Sequence, residues 1–220
     1  MSTLQRISFV TILKNRTNIT VDVNDTTRTL TLFENNLRSL IQLIQPTDIW
    51  EYIIVDFEST DVDISTFVET LPKCENLTFR IYTLKETFDK GRGLNFASNL
   101  PNYNTVFFLD ADMMIRTRAV FDDIQTYVVE QNRVLFPICW SYSNPEHTSG
   151  TKRDTGVGNV VQQKQTIIQY AHNTSWGMED TLNFQHYTKT RQAIRTYYSE
   201  GFVHQWHPRY ISHMYYPVKK

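Results

Sequence analysis

Four consecutive large apolar residues, 106–109 (Val-Phe-Phe-Leu), lead directly into the triplet Asp110-Ala111-Asp112 near the middle of the chain. Such a run is typical of a strand buried on both faces, which restricts the fold to a sheet covered by helices. In an extended chain the first and third side chains share a face, so both carboxylates can meet one hard cation at the sheet edge. Isolated Asp-x-Asp triplets also occur in solvated turns and helix caps, but the preceding apolar run favours a metal site for a phosphorylated ligand.

Strand and helix patterns alternate through the first half of the chain. The candidate strands are residues 7–13, 52–56, 77–82 and 106–109. The candidate helices are residues 30–44, 64–71 and 93–100. Pro46 and Pro72 follow the first two helical segments, where a helix is expected to stop. This alternation predicts an α/β fold with a mostly parallel sheet and helices on both faces.

The pattern loosens after the acidic triplet. Residues 120–128 have helical spacing and residues 134–138 are typical of another strand. Residues 140–165 are polar, contain several glycines and lack sustained periodicity, which predicts a long loop. Because loops of this length inside a domain often have a function, we expect a lid that becomes ordered when metal and ligand bind.

Composition narrows the classes of protein that remain. The chain has 220 residues, enough for one sizeable globular domain, and its formal net charge of −1 argues against a nucleic-acid binder with a broad basic surface. Two cysteines make neither a disulfide framework nor a zinc cluster. No signal peptide or membrane-length apolar stretch is present, so we expect a cytoplasmic protein without a transmembrane segment, in which five Asn-x-Ser/Thr sequons are incidental.

Two further constellations lie near the C-terminus. Glu179 and Asp180 follow Gly177, whose tight backbone geometry can bring the carboxylates to a ligand, although acids are also common at exposed helix N-termini. His204 and His207 offer two imidazoles three residues apart. One core histidine and one surface histidine would explain that pair equally well.

In this order the motifs resemble the GT-A glycosyltransferases, especially the family-2-like group of nucleotide-sugar enzymes. The resemblance extends from residue 7 to residue 208 and rests on six sets of residues. These are Ser8-Phe9-Val10-Thr11, the loop residues Asn15-Arg16, the segment of Val55-Asp56 with Ser59 and Asp61, the pair Arg92 and Asn95, Asp110-Ala111-Asp112, and Trp176-Gly177-Met178-Glu179-Asp180. The last resembles the Trp-Gly-x-Glu-Asp motif of galactosyl- and N-acetylgalactosaminyltransferases.

The resemblance implies a GT-A sheet with a nucleotide-sugar-binding half at residues 1–115 and an acceptor and catalytic half at residues 116–220. It implies transfer from a UDP-sugar to a hydroxyl of a carbohydrate or glycoconjugate, with inversion, Asp180 as base and Glu179 positioning hydroxyls. Mn²⁺ or Mg²⁺ would be held by Asp110, Asp112 and His204, the last preferred over His207. The implied donor-binding residues are Thr11, Asn15, Arg16, Asp56, Arg92, Asp110, Ala111, Trp176 and Gly177.

The chain departs from the family at one position, because many members have two adjacent acids where Asp56 is followed by Phe57. Either Asp56 contacts the nucleotide base alone or Phe57 stacks on it. Retaining transfer also stays open. Among other classes, a nucleotidyltransferase would have a glycine-rich loop after the first strand, and residues 13–17 contain no glycine. A haloacid-dehalogenase-type phosphatase would have its acids on the first strand, and a non-catalytic relic of the fold is the remaining alternative.

Overall fold

A computed structural model describes residues 5–172 and 177–208. The strands are β1 (Arg6–Leu13), β2 (Ile19–Val23), β3 (Thr26–Leu30), β4 (Ile49–Asp56), β5 (Leu77–Thr83), β6 (Thr105–Phe108), β7 (Met113–Ile115), β8 (Val134–Ile138), β9 (Trp140–Tyr142), β10 (Gly150–Lys152), β11 (Val160–Gln163), β12 (Ala193–Tyr197) and β13 (Phe202–His204). The α-helices are α1 (Leu32–Ile41), α2 (Ile64–Glu69), α3 (Lys90–Ala97), α4 (Ala119–Asp123) and α5 (Met178–Lys189). A π-helical segment, Ile124–Glu130, continues α4.

A seven-stranded sheet in the order β12-β8-β11-β6-β1-β4-β5 forms the centre of the single domain. Among these strands only β11 runs antiparallel to its neighbours. All four residues of β6 are buried and seven of the eight in β4 are, as expected for parallel strands covered on both faces. The predicted α/β fold with a mostly parallel sheet is confirmed.

The two faces of the sheet bury separate apolar clusters. Side chains alternate along β1, so that Phe9 packs on one face, with its ring centroid 5.3 Å from that of Trp50, and Val10 packs on the other. Helices α1, α2 and α4 cover the Phe9 face, and α3 and α5 cover the Val10 face. Neither these helices nor any other in the described ranges is both long and apolar enough to cross a bilayer.

The prediction of a long loop at residues 140–165 is wrong, because this segment contains strands β9, β10 and β11. Val160 and Val161 of β11 pair with Phe108 and Phe107, placing the strand inside the main sheet. A four-residue strand with two apolar side chains gives too short a pattern to recognise, and its partners are distant in sequence. The hairpin of β2 and β3 was also missed, so the first helix begins at Leu32 and not at residue 30.

A smaller sheet in the order β10-β9-β13-β7 lies beyond the carboxyl end of β6. Its strand β7 begins one residue after Asp112, and β13 pairs with it antiparallel, so that His204 is opposite Met113. Strand β13 is also parallel to β9, with His204 opposite Ser141. This small sheet therefore brings the end of the chain back to the acidic triplet.

Candidate active site

The Asp110-Ala111-Asp112 turn connects β6 to β7, and side chains from other elements hydrogen-bond to its backbone. Asn36 Nδ2 donates to the Asp110 carbonyl at 3.1 Å, and the Asp110 N–H donates to Asn159 Oδ1 at 2.8 Å. Thr11 Oγ1 donates to the Leu109 carbonyl at 2.6 Å. Because these bonds fix the backbone, the two carboxylate side chains are directed toward different partners.

Asp112 lies beside both histidines. Its Oδ2 is 3.2 Å from His207 Nε2 and 3.8 Å from His204 Nε2. One ligand atom from each of the three residues lies within 4.8 Å of the others, a spacing that could hold a metal ion. Arg16 also contacts this group: its Nη1 lies 3.1 Å from Asp112 Oδ2 and 3.4 Å from His207 Nε2. We name Asp112, His204 and His207 the carboxylate–histidine cluster.

The other ring nitrogen of each histidine is hydrogen-bonded, which orients Nε2 toward Asp112. His207 Nδ1 is 3.2 Å from the Pro208 carbonyl, an acceptor, so Nδ1 is the nitrogen that donates there, and Nε2 is directed to Asp112 and Arg16. His204 Nδ1 is 3.1 Å from Ser141 Oγ. Burial lowers the pKa of His204 to about 4 despite the attraction of Asp112, so this imidazole is neutral at pH 7, as a metal ligand must be.

The charge state of Asp112 also suits a cation site. Burial raises the pKa of its carboxyl, but His204, His207 and Arg16 lower it more, and the net pKa lies well below the usual value. A carboxylate and two imidazoles form a mixed oxygen and nitrogen donor set that could hold a divalent transition-metal ion. The carboxylate–histidine cluster therefore fits the divalent metal expected from the sequence.

Asp110, the other carboxylate of the triplet, contacts a lysine that sequence reasoning missed. Lys90 Nζ lies 2.8 Å from Asp110 Oδ1 and 2.9 Å from Asp180 Oδ2, bridging the two acids. A Cβ at Gly158 would lie within 3 Å of both Asp110 Oδ2 and Asp180 Oδ2, so a larger residue here would displace one or both carboxyl groups. We name Asp110, Lys90 and Asp180 the lysine bridge.

Burial and charge act in opposite directions on the lysine bridge. Burial lowers the pKa of Lys90. The neighbouring acids Asp110, Asp180 and Glu179 raise it by a larger amount, so the net pKa lies well above the usual value. Burial raises the pKa of Asp110, which Lys90 opposes and Asp180 reinforces, and the net shift is upward. Lys90 is therefore a charged ammonium at neutral pH and lies between the two acids.

Glu179 and Asp180 lie in the first turn of α5. Gly177 precedes the helix with φ of 78°, a left-handed conformation that favours glycine. Asp180 joins the lysine bridge, whereas Glu179 is 4% exposed on the inward face of the helix. Burial, with the neighbouring charge of Asp180, raises the pKa of Glu179 to about 7.

Several predicted donor-binding residues have structural contacts. Thr11 is buried and bonded to Leu109 and Tyr52, so it supports the turn. Asp56 accepts hydrogen bonds from the backbone N–H and hydroxyl of Ser59, and burial raises its pKa despite these bonds. Asn15 Oδ1 accepts from the Thr60 N–H at 2.7 Å, joining the loops after β1 and β4.

Of the remaining predicted residues that the structure describes, only Ala111 lies at one of the two clusters. Ala111 is buried within the triplet, and Trp176 lies outside the described residues. Arg92 is not brought to either cluster: its side chain is 44% exposed and pairs with Glu86. Phe57 is fully buried, with its ring 5.2 Å from that of Phe88, so the prediction that it could stack on a base is wrong.

Comparison with known proteins places the fold. No protein-family model and no curated protein sequence matches the chain. Among solved structures, TarS of S. aureus, residues 1–349, is similar with a TM-score of 0.68 and 13% identity, covering 91% of this chain and 60% of that one. The same protein in complex with UDP-GlcNAc gives a TM-score of 0.66 at 14% identity, covering 94% and 61%.

A mannosyltransferase, PcManGT from Pyrobaculum calidifontis in complex with GDP-Man and Mn²⁺, is similar with a TM-score of 0.62 and 15% identity, covering 92% of this chain and 57% of that one. The protein therefore has the GT-A fold predicted from its sequence. It spans about 60% of the length of these matched chains.

Proposed function

We propose that the protein is a metal-dependent glycosyltransferase of the hexosyltransferase class, which moves a sugar from a nucleotide-diphosphate donor, a UDP-sugar, to a hydroxyl acceptor. The observation that carries this proposal is the pair of clusters at one edge of the sheet: a carboxylate–histidine cluster suited to a divalent cation beside an acid held by a buried lysine. The GT-A neighbours crystallised with UDP-GlcNAc and with GDP-Man and Mn²⁺ support a nucleotide-sugar donor.

Asp112, His204 and His207 would hold the metal, Mn²⁺ or Mg²⁺. When bound, the cation would act as a Lewis acid that stabilises negative charge on the departing diphosphate. Asp110, the further ligand predicted from the sequence, is paired with Lys90 and would reach the metal only if that pair separated. Both histidines take part in this proposal, in place of His204 alone.

The donor diphosphate would lie between the two clusters. Arg16 beside Asp112 and Lys90 beside Asp110 present cationic groups where its charge increases during transfer. Asp56 and Asn15, at the ends of β4 and β1, are then the candidates for contact with the nucleoside. Residues 1–115 would thus bind the donor, and residues 116–220 would supply the acceptor side. We further propose a cytoplasmic location.

Asp180 would be the general base of an inverting transfer. A base must lie within hydrogen-bond reach of the acceptor hydroxyl on the face opposite the leaving group. Lys90 Nζ, 2.9 Å from Asp180 Oδ2, would hold this carboxyl group in place at the start of α5. Glu179 would position acceptor or donor hydroxyls beside it.

Thermal denaturation with UDP, UDP-sugars and GDP-mannose, each with and without Mn²⁺, tests the proposal. We expect a metal-dependent rise in melting temperature with one nucleotide, since a ligand that binds only the folded state stabilises it. Asp112→Asn should remove the rise, and Asp110→Asn should retain most of it, because Asp110 lies outside the carboxylate–histidine cluster. No rise with any nucleotide would contradict a glycosyltransferase and favour a non-catalytic relic of the fold.

A further inference from the structure

A loop of residues 153–159 joins β10 to β11 and passes beside the lysine bridge. A Cβ at Gly158 would lie 3.2 Å from Lys90 Nζ, in addition to its contacts with the two acids. Asn159, the next residue, accepts a hydrogen bond from the Asp110 N–H at 2.8 Å, and its Nδ2 lies 3.5 Å from Asp110 Oδ2. A shift of this loop would therefore move the hydrogen-bond partner of Asp110.

Among the described residues, the 153–159 loop makes few backbone hydrogen bonds within itself. Its internal bond, from the Gly156 N–H to the Arg153 carbonyl, is 3.4 Å long, and the Arg153 N–H donates to the Cys139 carbonyl at 2.9 Å. The ion pair of Lys152 with Asp154 lies on the exposed surface, where such pairs contribute little to stability. The middle of the loop therefore depends on contacts from other elements.

Arg195 of β12 supplies such a contact. Its Nη1 donates to the Asp154 carbonyl, and its Nη2 donates to the Gly156 carbonyl at 3.0 Å. A guanidinium holds its N–H groups in one rigid plane, so two bonds from it set the orientation of the loop as well as its position. Hydrogen bonds from a charged donor are also stronger than bonds between neutral groups.

The guanidinium of Arg195 packs on an aromatic ring of α5. Its carbon atom lies 5.3 Å from the centroid of the Phe184 ring, within the range of a cation–π contact. The Phe184 ring in turn packs edge-on against Phe136, the residue opposite Arg195 on β8. Nε of Arg195 is buried without a hydrogen-bond partner among the described residues, which costs free energy. An apolar side chain would avoid that cost, so what the arginine adds at this position is its pair of bonds to the loop.

We propose that Arg195 is a positioning residue for the lysine bridge: it anchors the 153–159 loop, and the loop, through Asn159, holds Asp110 beside Lys90. The contacts described for Arg195 are with the loop and not with the bridge, so its effect passes through the loop. The assignment rests on the proposed function, because Asp180, the proposed base, pairs with the same lysine.

Hydrogen exchange of the Asp110 amide, followed by NMR on the whole chain, tests the proposal without any substrate. Arg195→Met retains an extended side chain but donates no hydrogen bond. The Asp110 amide should then exchange about tenfold faster, since a loosened loop withdraws the oxygen of Asn159. Arg133→Met is the matched control, because Arg133 also donates to two backbone carbonyls, near the start of β12, and it should leave this exchange unchanged.

A double variant shows whether the effect passes through Asn159. Asn159→Ala alone should accelerate the exchange of the Asp110 amide, and adding Arg195→Met should accelerate it no further, because both changes remove the same bond. If Arg195→Met does not fold, Arg195→Lys carries the test: its single ammonium replaces a two-pronged donor, so exchange should still be faster than in wild type. Additive effects in the double variant, or wild-type exchange in the folded Arg195 variant, would overturn the proposal.

Transfer kinetics on the same samples connect the anchor to the reaction. Arg195→Met should lower kcat about ten- to a hundredfold, since small displacements of reacting groups cost this much, whereas Arg133→Met should retain the wild-type kcat. Faster exchange with a wild-type kcat would overturn Arg195 as a positioning residue for the reaction. Faster exchange in a protein whose wild type transfers no sugar from any nucleotide donor would retain the anchor of the lysine bridge and overturn the glycosyltransferase.

Discussion

The two carboxylates of one turn, Asp110 and Asp112, have opposite surroundings. Asp112 faces two imidazoles, of which His204 is neutral at pH 7, with Arg16 at one side. Asp110 is already neutralised by Lys90, which also binds Asp180. In the first arrangement one carboxylate is shared by two imidazole rings and one guanidinium, whereas in the second one ammonium is shared by two acids. Asp110 and Asp112, two residues apart, thus belong to two separate clusters of charged groups.

The largest expected effect is on the rate of sugar transfer, and it comes from substituting Asp180 of the lysine bridge. Asp180→Asn has nearly the same shape but cannot accept a proton, so transfer should fall about 10²- to 10⁴-fold while donor binding is unchanged. Initial rates of sugar transfer and calorimetric titration of nucleotide with Mn²⁺ measure the two quantities. A near-normal rate would exclude Asp180 as the base.

Lys90 should dominate the stability of the same cluster. Lys90→Met leaves Asp110 and Asp180 as unpaired neighbouring anions, and we expect a loss of about 3 kcal/mol in the free energy of unfolding at pH 7. The loss should shrink as the pH falls and Asp110, whose pKa is raised by burial, becomes protonated. Urea unfolding at pH 7 and at pH 5 measures both.

The double variant Lys90→Met with Asp110→Asn is the control for Lys90. It should recover part of the lost free energy, because one of the two unpaired charges is then absent. If Lys90→Met alone unfolds at the wild-type urea concentration, the lysine bridge does not stabilise the protein. The pairing of Lys90 with Asp110 and Asp180 would then contribute little to the free energy of unfolding.

The contrast also shows what the sequence can and cannot predict. The core strands and the acidic triplet were predictable because continuous apolar runs identify strands buried on both faces. Lys90 could not be predicted, because it lies in a polar stretch and its partners Asp110 and Asp180 are 20 and 90 residues away along the chain. Arg92 was assigned to the donor from a motif. Two residues apart on α3, Lys90 and Arg92 point about 200° apart, so that one enters the site and the other faces solvent.

The same limit applies to the missed strand and to the second histidine. Strand β11 is defined by its partners β6 and β8, which a local pattern cannot supply. His204 and His207 could be found as candidates, but the choice between them depended on the pairing of β13 with β7 and β9. Gly158 could not be recognised from the sequence, because its proximity to Asp110 and Asp180 arises only from the tertiary fold.

Glu179 should make stability depend on pH in a direction opposite to that of an ordinary ion-paired acid. Its pKa is raised to about 7 in the folded protein, whereas an unfolded glutamate titrates near 4.5. Between these values the unfolded chain loses the proton first, so stability falls as the pH rises, by up to about 3 kcal/mol. Glu179→Gln removes this penalty, and its gain over wild type in urea unfolding should increase from pH 5 to pH 8. A constant difference would contradict the raised pKa.

The smallest expected effect is that of Ser141→Ala on metal affinity. This variant tests whether a hydrogen bond from a residue outside the carboxylate–histidine cluster orients His204. Ser141 Oγ lies 3.1 Å from His204 Nδ1, and losing this contact lets the imidazole rotate or change tautomer. We expect Mn²⁺ affinity, measured by calorimetry, to fall about tenfold with little change in stability. Ser143→Ala, whose hydroxyl pairs with Ser149 on the exposed surface, is the matched control and should bind Mn²⁺ as wild type does. If both variants bind equally, packing of β13 against β7 and β9 is sufficient to orient His204, and the histidines need no hydrogen-bonded support beyond the sheet itself.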